Sequence, residues 1–247
     1  MATLQLFCLP YSGASAMVYS RWRRSLPEWL RVQPVELPGR GARLGEGLHT
    51  DLHALARQLA GELAPRIQGP YAVFGHSLGG LLGFELVHAL REQGVAEPVA
   101  LIASGTAAPT RREDYDRDFA EPKNDDELKQ QLRDLQGTPA EVLDNQELMA
   151  LTLPVLRADF LMCGRYHYRA RAPLHCPIHV LGGVNDKATQ DQLIAWQAEG
   201  CGSFSLDMLP GGHFFVHEHQ AKVLRLLKAW LSVDARALPL AHYGVGA

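Results

Sequence analysis

The run Tyr71-Ala72-Val73-Phe74, followed at once by Gly75-His76-Ser77-Leu78-Gly79, constrains this chain more than any other stretch. Its first half is apolar and strand-like, and the helical pattern Leu81, Leu82, Phe84, Glu85, Leu86 begins directly after it. A strand that turns this sharply into a helix holds the residue at the turn in strained backbone geometry, which only small neighbours tolerate. Glycines two residues before and after Ser77 meet that need, and Gly80 adds a third. Ser77 is therefore a candidate nucleophile. The same letters also fit a plain glycine-rich turn, so the chemistry depends on an acid and a histidine elsewhere.

Short apolar runs alternate with helical patterns on both sides of this turn. Strands are expected at Leu4 to Leu9, Val32 to Leu37, Tyr71 to Phe74, Val99 to Ala103, Ile178 to Leu181 and Phe204 to Leu209. Helices are expected near Tyr19 to Leu30, from Asp51 to about Pro65, after Ser77, near Gln190 to Ala198, and near Gln220 to Leu231. Asp51 is placed to cap its helix, and Pro65 and Gly69-Pro70 stop it before the next strand. Strands separated by crossovers of this length imply an α/β fold, a mostly parallel sheet covered by helices on both faces. The rhythm breaks between Thr106 and about Pro173, too long for an ordinary connection. The first half of that gap is charged (Arg111-Arg112-Glu113-Asp114, Asp116-Arg117-Asp118), as expected of a solvated face, and the second half is amphipathic (Leu143 to Leu161). A helical lid over the carboxyl edge of the sheet is expected there. The domain reading is one domain over 1–233 with an insertion at about 106–173, then a loosely ordered tail over 234–247.

A length of 247 residues with 47% hydrophobic composition suits one large core. The net charge of -3 offers no basic face for nucleic acid. Met1-Ala2-Thr3-Leu4-Gln5-Leu6 lacks a basic leader, and no run reaches the roughly 18 apolar residues of a membrane span. A soluble cytoplasmic protein with neither nucleic-acid nor membrane partner is expected. Cys8, Cys163, Cys176 and Cys201 are spread out with no paired spacing, so neither zinc nor a disulfide framework is indicated. Cys8 lies inside a strand with no elbow around it.

A serine hydroxyl needs a base within reach, and the base needs a carboxylate to orient it. Behind an elbow of this kind the chain order is serine, acid, histidine. Gly211-Gly212-His213-Phe214-Phe215 follows the last strand and makes His213 the base by position. Gly182-Gly183-Val184-Asn185-Asp186 follows the fifth strand, whereas Ser104-Gly105-Thr106 after the fourth holds no acid, so Asp186 is the orienting carboxylate. Taken alone, Asp186 also fits a turn residue or a cap ahead of Thr189. Asp159, Asp191 and Asp207 are weaker placements, Asp159 being of interest as a lid or substrate-loop residue. His213, His217 and His219 have a spacing that invites metal, but no glutamate sits between the first two as in a His-Glu-x-x-His site, and no metal or cofactor is expected. His76 is read as shaping the turn, and His175 and His179 as ordinary packing or surface residues. Acyl transfer also needs donors for the developing oxyanion. Leu78 offers one backbone N–H. The second belongs to Pro10-Tyr11-Ser12-Gly13-Ala14-Ser15, with Ser12 preferred and Tyr11 the alternative.

Beyond the elbow, the loop and the two partners, the chain resembles a type II thioesterase, the free-standing editing hydrolase of nonribosomal peptide and polyketide assembly lines, in the α/β-hydrolase superfamily. The resemblance runs nearly end to end. It rests on Leu9-Pro10-Tyr11-Ser12-Gly13-Ala14-Ser15-Ala16, Leu37-Pro38-Gly39-Arg40, Phe74 to Gly80, Gly137-Thr138-Pro139, Leu153-Pro154-Val155-Leu156-Arg157-Ala158-Asp159-Phe160 and Gly211 to Phe215. Tyr11-Ser12 departs from the commoner His-Ala, and Gly80 from the commoner Ala. The resemblance implies hydrolysis of acyl or aminoacyl thioesters from the phosphopantetheine arm of acyl or peptidyl carrier proteins. A monomer is expected, with no sequence feature that itself sets the oligomeric state. Arg111, Arg112, Arg165, Arg169 and Arg171 are candidate contacts to an acidic carrier. The triad alone fits a carboxylesterase or lipase equally well, and a fold that has lost its chemistry or an acyl transferase are further alternatives.

Overall fold

The computed structural model describes residues 3–135 and 140–237; Gly137-Thr138-Pro139 and residues 238–247 lie outside the described residues. Six strands form one sheet: β1 (Leu4–Leu9), β2 (Leu30–Pro34), β3 (Tyr71–His76), β4 (Leu101–Ser104), β5 (Ile178–Gly183) and β6 (Phe204–Leu209). Their spatial order is β2-β1-β3-β4-β5-β6, and every pairing is parallel. The helices are α1 (Leu52–Leu63), α2 (Leu78–Glu92), α3 (Arg112–Tyr115), α4 (Asp125–Asp134), α5 (Ala140–Leu143), α6 (Gln146–Gly164), α7 (Gln190–Ile194), α8 (Phe215–Glu218) and α9 (Gln220–Ala237). Among the described residues no helix is long and apolar enough to cross a membrane.

A strand covered on both faces must be apolar at every position, which is why these strands read as continuous runs. Phe7, Leu9, Tyr71, Val73, Leu101 and Val180 enter one core with α1, α2 and Trp196. Their neighbours Leu6, Cys8, Ala72, Phe74, Ile102 and Leu181 enter the other with Tyr19, Trp22, Phe215 and α9.

The expected elements differ from the observed ones mainly at their ends. The helix expected at Tyr19 to Leu30 is a 3-10 helix over Ala16–Arg24, capped by Ser15, and the chain enters β2 at Leu30 just after Pro27. Asp51 caps α1 through the Ala54 N–H at 2.9 Å, as its placement implies. The expected tail begins too early. Helix α9 continues past Val233 to Ala237, where Asp234 accepts from His179 Nε2 at 2.8 Å; the same imidazole stacks on Trp230 and bonds Ser205 Oγ, so the last turn has a buried anchor.

Between β4 and β5 the chain forms α3 to α6. Leu128, Leu132, Leu143, Met149, Leu153, Leu156 and Phe160 pack into a third, smaller cluster. The charged stretch before it is not merely a solvated face. Arg112 is buried, donates to Thr106 Oγ1 at 2.7 Å and pairs with the buried Asp116.

Candidate active site

At the end of β3 the backbone turns through Ser77 with φ 55° and ψ -120°, and Ser77 is the non-glycine residue at positive φ among the described residues. Such a conformation costs a residue with a Cβ on the order of 1 kcal/mol or more, so the surroundings must enforce it. The Ser77 N–H is held by the Ser104 carbonyl at 2.8 Å, and the Ser77 carbonyl accepts from Gly80 at 3.0 Å. A Cβ on Gly75 would collide with the Gly79 carbonyl, and one on Gly79 with the Leu9 carbonyl. The two glycines flanking the serine are therefore demanded by close backbone approach.

β5 and β6 are neighbours in register up to Gly183 beside Leu209, which brings the two following loops together. The Val184 N–H donates to the Leu209 carbonyl at 2.8 Å and the Asn185 N–H to Gly211 at 3.0 Å. On this frame His213 Nδ1 lies 3.0 Å from both carboxylate oxygens of Asp186, with the imidazole 8% and the carboxylate 1% exposed. A proton on Nδ1 directed at the carboxylate leaves Nε2 with its lone pair. Thr189, in a capping box with Gln192, caps α7 itself, so Asp186 is not spent as a helix cap.

Two other histidines flank this pair. His76 is fully buried and bonds Ser104 Oγ through Nδ1 at 2.9 Å; burial, then the neighbouring His213 and His217, push its pKa well below the usual imidazole value. It stays neutral and fills the turn. His217 Nε2 meets the Tyr11 hydroxyl at 3.0 Å, and the Tyr11 ring packs edge-on against Phe214 and His76. Among the described residues no group of three His, Cys, Asp or Glu side chains is placed to hold a metal ion. Burial pushes the Cys8 thiol far above its ordinary value.

Ser12, Ser77 and His213 line one cavity of about 230 Å³. The helices between β4 and β5 contribute apolar lining through Leu132, Met149, Leu156 and Phe160. Leu78 is the first residue of α2, where an N–H has no acceptor within its own helix. Next to Ser12, the Gly13 N–H donates to Asp159 Oδ2 at 2.8 Å. Asp159 is in turn gripped by Arg40, Nη1 to Oδ2 at 2.6 Å and Nη2 to Oδ1 at 2.7 Å, with side-chain exposures of 6% and 0%. Sequence reasoning noted Arg40 and Asp159 separately but not their pairing, because 119 positions separate them and no local pattern links them. Of the arginines singled out as carrier contacts, Arg112 is buried and Arg171 is bound to Glu85 at 2.6 Å, while Arg111, Arg165 and Arg169 are exposed.

A strained serine, a carboxylate-bound histidine and an apolar cavity are compatible with many acyl hydrolases, so likeness along the whole chain decides the family. The thioesterase domain family matches residues 4–231. The chain belongs to the thioesterase family. This thioesterase is 38% identical over 230 residues to the gramicidin S biosynthesis protein GrsT of Aneurinibacillus migulanus, covering 92% of this chain and 88% of that one. It is 32% identical over 219 residues to the thioesterase PikA5 of Streptomyces venezuelae, covering 88% and 77%. The solved structure of RedJ, a thioesterase from the prodiginine pathway of Streptomyces coelicolor, superposes with a TM-score of 0.87 at 36% identity, covering 93% and 91%. The fold of this thioesterase is the α/β-hydrolase fold expected from its sequence, with every observed strand pairing parallel.

Proposed function

We propose that this thioesterase is a free-standing editing enzyme that hydrolyses acyl or aminoacyl thioesters on the phosphopantetheine arms of acyl or peptidyl carrier domains, clearing stalled or misprimed nonribosomal peptide or polyketide synthases. The observation that carries the reading is that His213, bound to Asp186, lines the same cavity as the strained Ser77, together with apolar side chains fit for an acyl chain. Likeness to proteins named for gramicidin S and prodiginine biosynthesis supports the carrier-bound substrate.

In this mechanism His213 Nε2 takes the Ser77 proton as Oγ attacks the thioester carbonyl. The oxyanion is met by the N–H groups of Leu78 and Ser12, in a site where water competes little. Collapse of the tetrahedral intermediate breaks the C–S bond, and His213 returns its proton to the departing thiolate. Water, deprotonated by His213, then releases the acid from Ser77 by the reverse sequence. Asp186 keeps the imidazole in one tautomer and stabilises its cation. The helices α4 to α6 act as a lid whose apolar side faces the acyl group.

Turnover by wild type and Ser77→Ala on a matched free ester, a small acyl thioester and an acylated carrier protein tests this. Ser77→Ala is expected to lose at least about 10⁴-fold in kcat with an unchanged thermal midpoint, and wild type to prefer the carrier-bound thioester. A variant that keeps near-full activity overturns the nucleophile, and preference for the free ester makes the protein a carboxylesterase.

A further inference from the structure

The segment Tyr11–Ala14 is a tight turn, closed by the Ala14 N–H donating to the Tyr11 carbonyl at 3.0 Å. Gly13, its third residue, has φ +78°, the arrangement of a type II turn. Types I and II differ by a flip of the central peptide, here the one joining Ser12 to Gly13, so something must select its orientation. The N–H of that peptide is the group bound to Asp159. A flip would turn the Ser12 carbonyl toward a buried carboxylate, which like partial charges forbid.

Asp159 can serve as this acceptor in a buried setting only because Arg40 neutralises it through two parallel hydrogen bonds. Arg40 also approaches the Ala14 carbonyl, at 3.5 Å from Nη1, so the pair touches the turn at two successive residues. Asp159 belongs to α6, whose Leu156 and Phe160 line the cavity one turn before and one residue after it. The pair thus joins the loop carrying the Ser12 N–H to the helix that walls the substrate.

We propose that Arg40 and Asp159 are positioning residues that lock the Ser12–Gly13 peptide of this turn and thereby hold in place the adjoining Tyr11–Ser12 peptide, whose N–H is the oxyanion donor, coupling that donor to helix α6. The proposal rests on the assignment of Ser12 as an oxyanion donor and Ser77 as nucleophile. It predicts a defect confined to the tetrahedral state, which a merely structural role would not produce.

The test compares Asp159→Asn and Arg40→Lys with wild type. Asparagine keeps the shape but turns a donor toward Arg40 or Gly13, and lysine keeps the charge but cannot span both carboxylate oxygens. The readouts are kcat and KM on a small acyl thioester, the inhibition constant of a trifluoromethyl ketone analogue that adds to serine, and the affinity of a thioether analogue that cannot react. Both variants are expected to lose about 10²-fold in kcat and a similar factor in ketone affinity, the scale of one lost oxyanion donor. KM and thioether affinity should stay within about three-fold of wild type. Unchanged kcat and ketone affinity in a folded variant overturn the proposal, as does an equal loss for ketone and thioether. If Asp159→Asn does not fold, Arg40→Lys decides on the same criteria. A wild type whose Ser77 forms no adduct with the ketone overturns the nucleophile and this proposal together; a normal adduct in wild type with indifferent variants removes this proposal alone.

Discussion

Leu82 of α2 and Leu128 of α4 are both fully buried, but in cores of different kinds. Leu82 packs where α1, α2, the strands and Trp196 meet, so the body of the protein shares its burial. Leu128 packs among side chains of the segment between β4 and β5, in the smallest of the three clusters. That segment is tied to the body by buried polar groups. At its entrance Arg112 bonds Thr106 and Asp116, midway Arg40 holds Asp159, and at its exit Glu85 of α2 accepts from Tyr166 at 2.7 Å and from Arg171 at 2.6 Å. Apolar burial is non-directional and tolerates sliding, whereas a bidentate ion pair has one geometry. The body supplies cooperativity, and the ties set where the helical segment stands over the cavity.

Truncation on both sides breaks or sharpens this contrast. Leu82→Ala and Leu128→Ala each remove a buried leucine, a change worth about 3 kcal/mol where the site cannot collapse. For Leu82→Ala the whole loss should appear in the urea midpoint of the protein. For Leu128→Ala it should appear as faster hydrogen exchange in residues 125–134 and 146–156, with the urea midpoint of the sheet strands nearly unmoved. Equal shifts of the global midpoint would make the two regions one cooperative unit and end the comparison.

The ties make the second prediction one of pH. Burial alone would raise the Glu85 carboxyl, but donors from His53, Arg171 and Tyr166 outweigh it and bring it down to about 2. Because this lies below the unfolded value of about 4.3, Glu85 contributes stability at neutral pH that is lost as pH falls from about 5 toward 2. His88 is lowered to about 4, by burial and then by Arg171 and Arg91, and loses its own contribution as pH falls from about 6.5 to 4. Glu85→Gln should therefore lower stability by about 2 kcal/mol at pH 7 and flatten the acid limb of the denaturation profile below about pH 4. A variant whose acid limb matches wild type would show that the exit tie is not electrostatic.

How much of this was legible in the sequence divides along the same line. The elbow could be read because each requirement is local. Ser77 needs small neighbours at fixed offsets, and Asp186 and His213 stand in loops whose order follows from that of the strands. Strand interiors could be read because burial on both faces forces unbroken apolar runs. The ties could not be read, since Arg40 and Asp159, or Glu85 and Arg171, meet only through the fold and carry no periodic signal. Arg112 and Asp116 misled for a related reason, as a charged run looks solvated until its partners are known. The sequence pattern ends the last helix near Leu231 and the domain at 233, short of Ala237, because Asp234 gains its reason to be helical only from His179, 55 positions earlier.

The smallest expected effect lies on the outer surface of the helical segment. Arg112 and Arg171 are occupied by internal partners, whereas Arg111 is exposed and is the kind of residue able to meet an acidic carrier domain. An exposed charge outside the contact centre acts mainly on the rate of encounter, is screened over roughly 8 Å at physiological salt, and is worth a few-fold in on-rate. Arg111→Glu should then reduce kcat/KM for an acylated carrier protein by about three-fold at low salt, with the difference fading as salt is added and no change on a small acyl thioester. The paired control is Arg171→Glu, which places a second carboxylate against Glu85 and should lower stability whichever substrate is used. If Arg111→Glu instead lowers stability, or Arg171→Glu slows only the carrier-bound substrate, the division between tying and docking arginines is wrong at those positions.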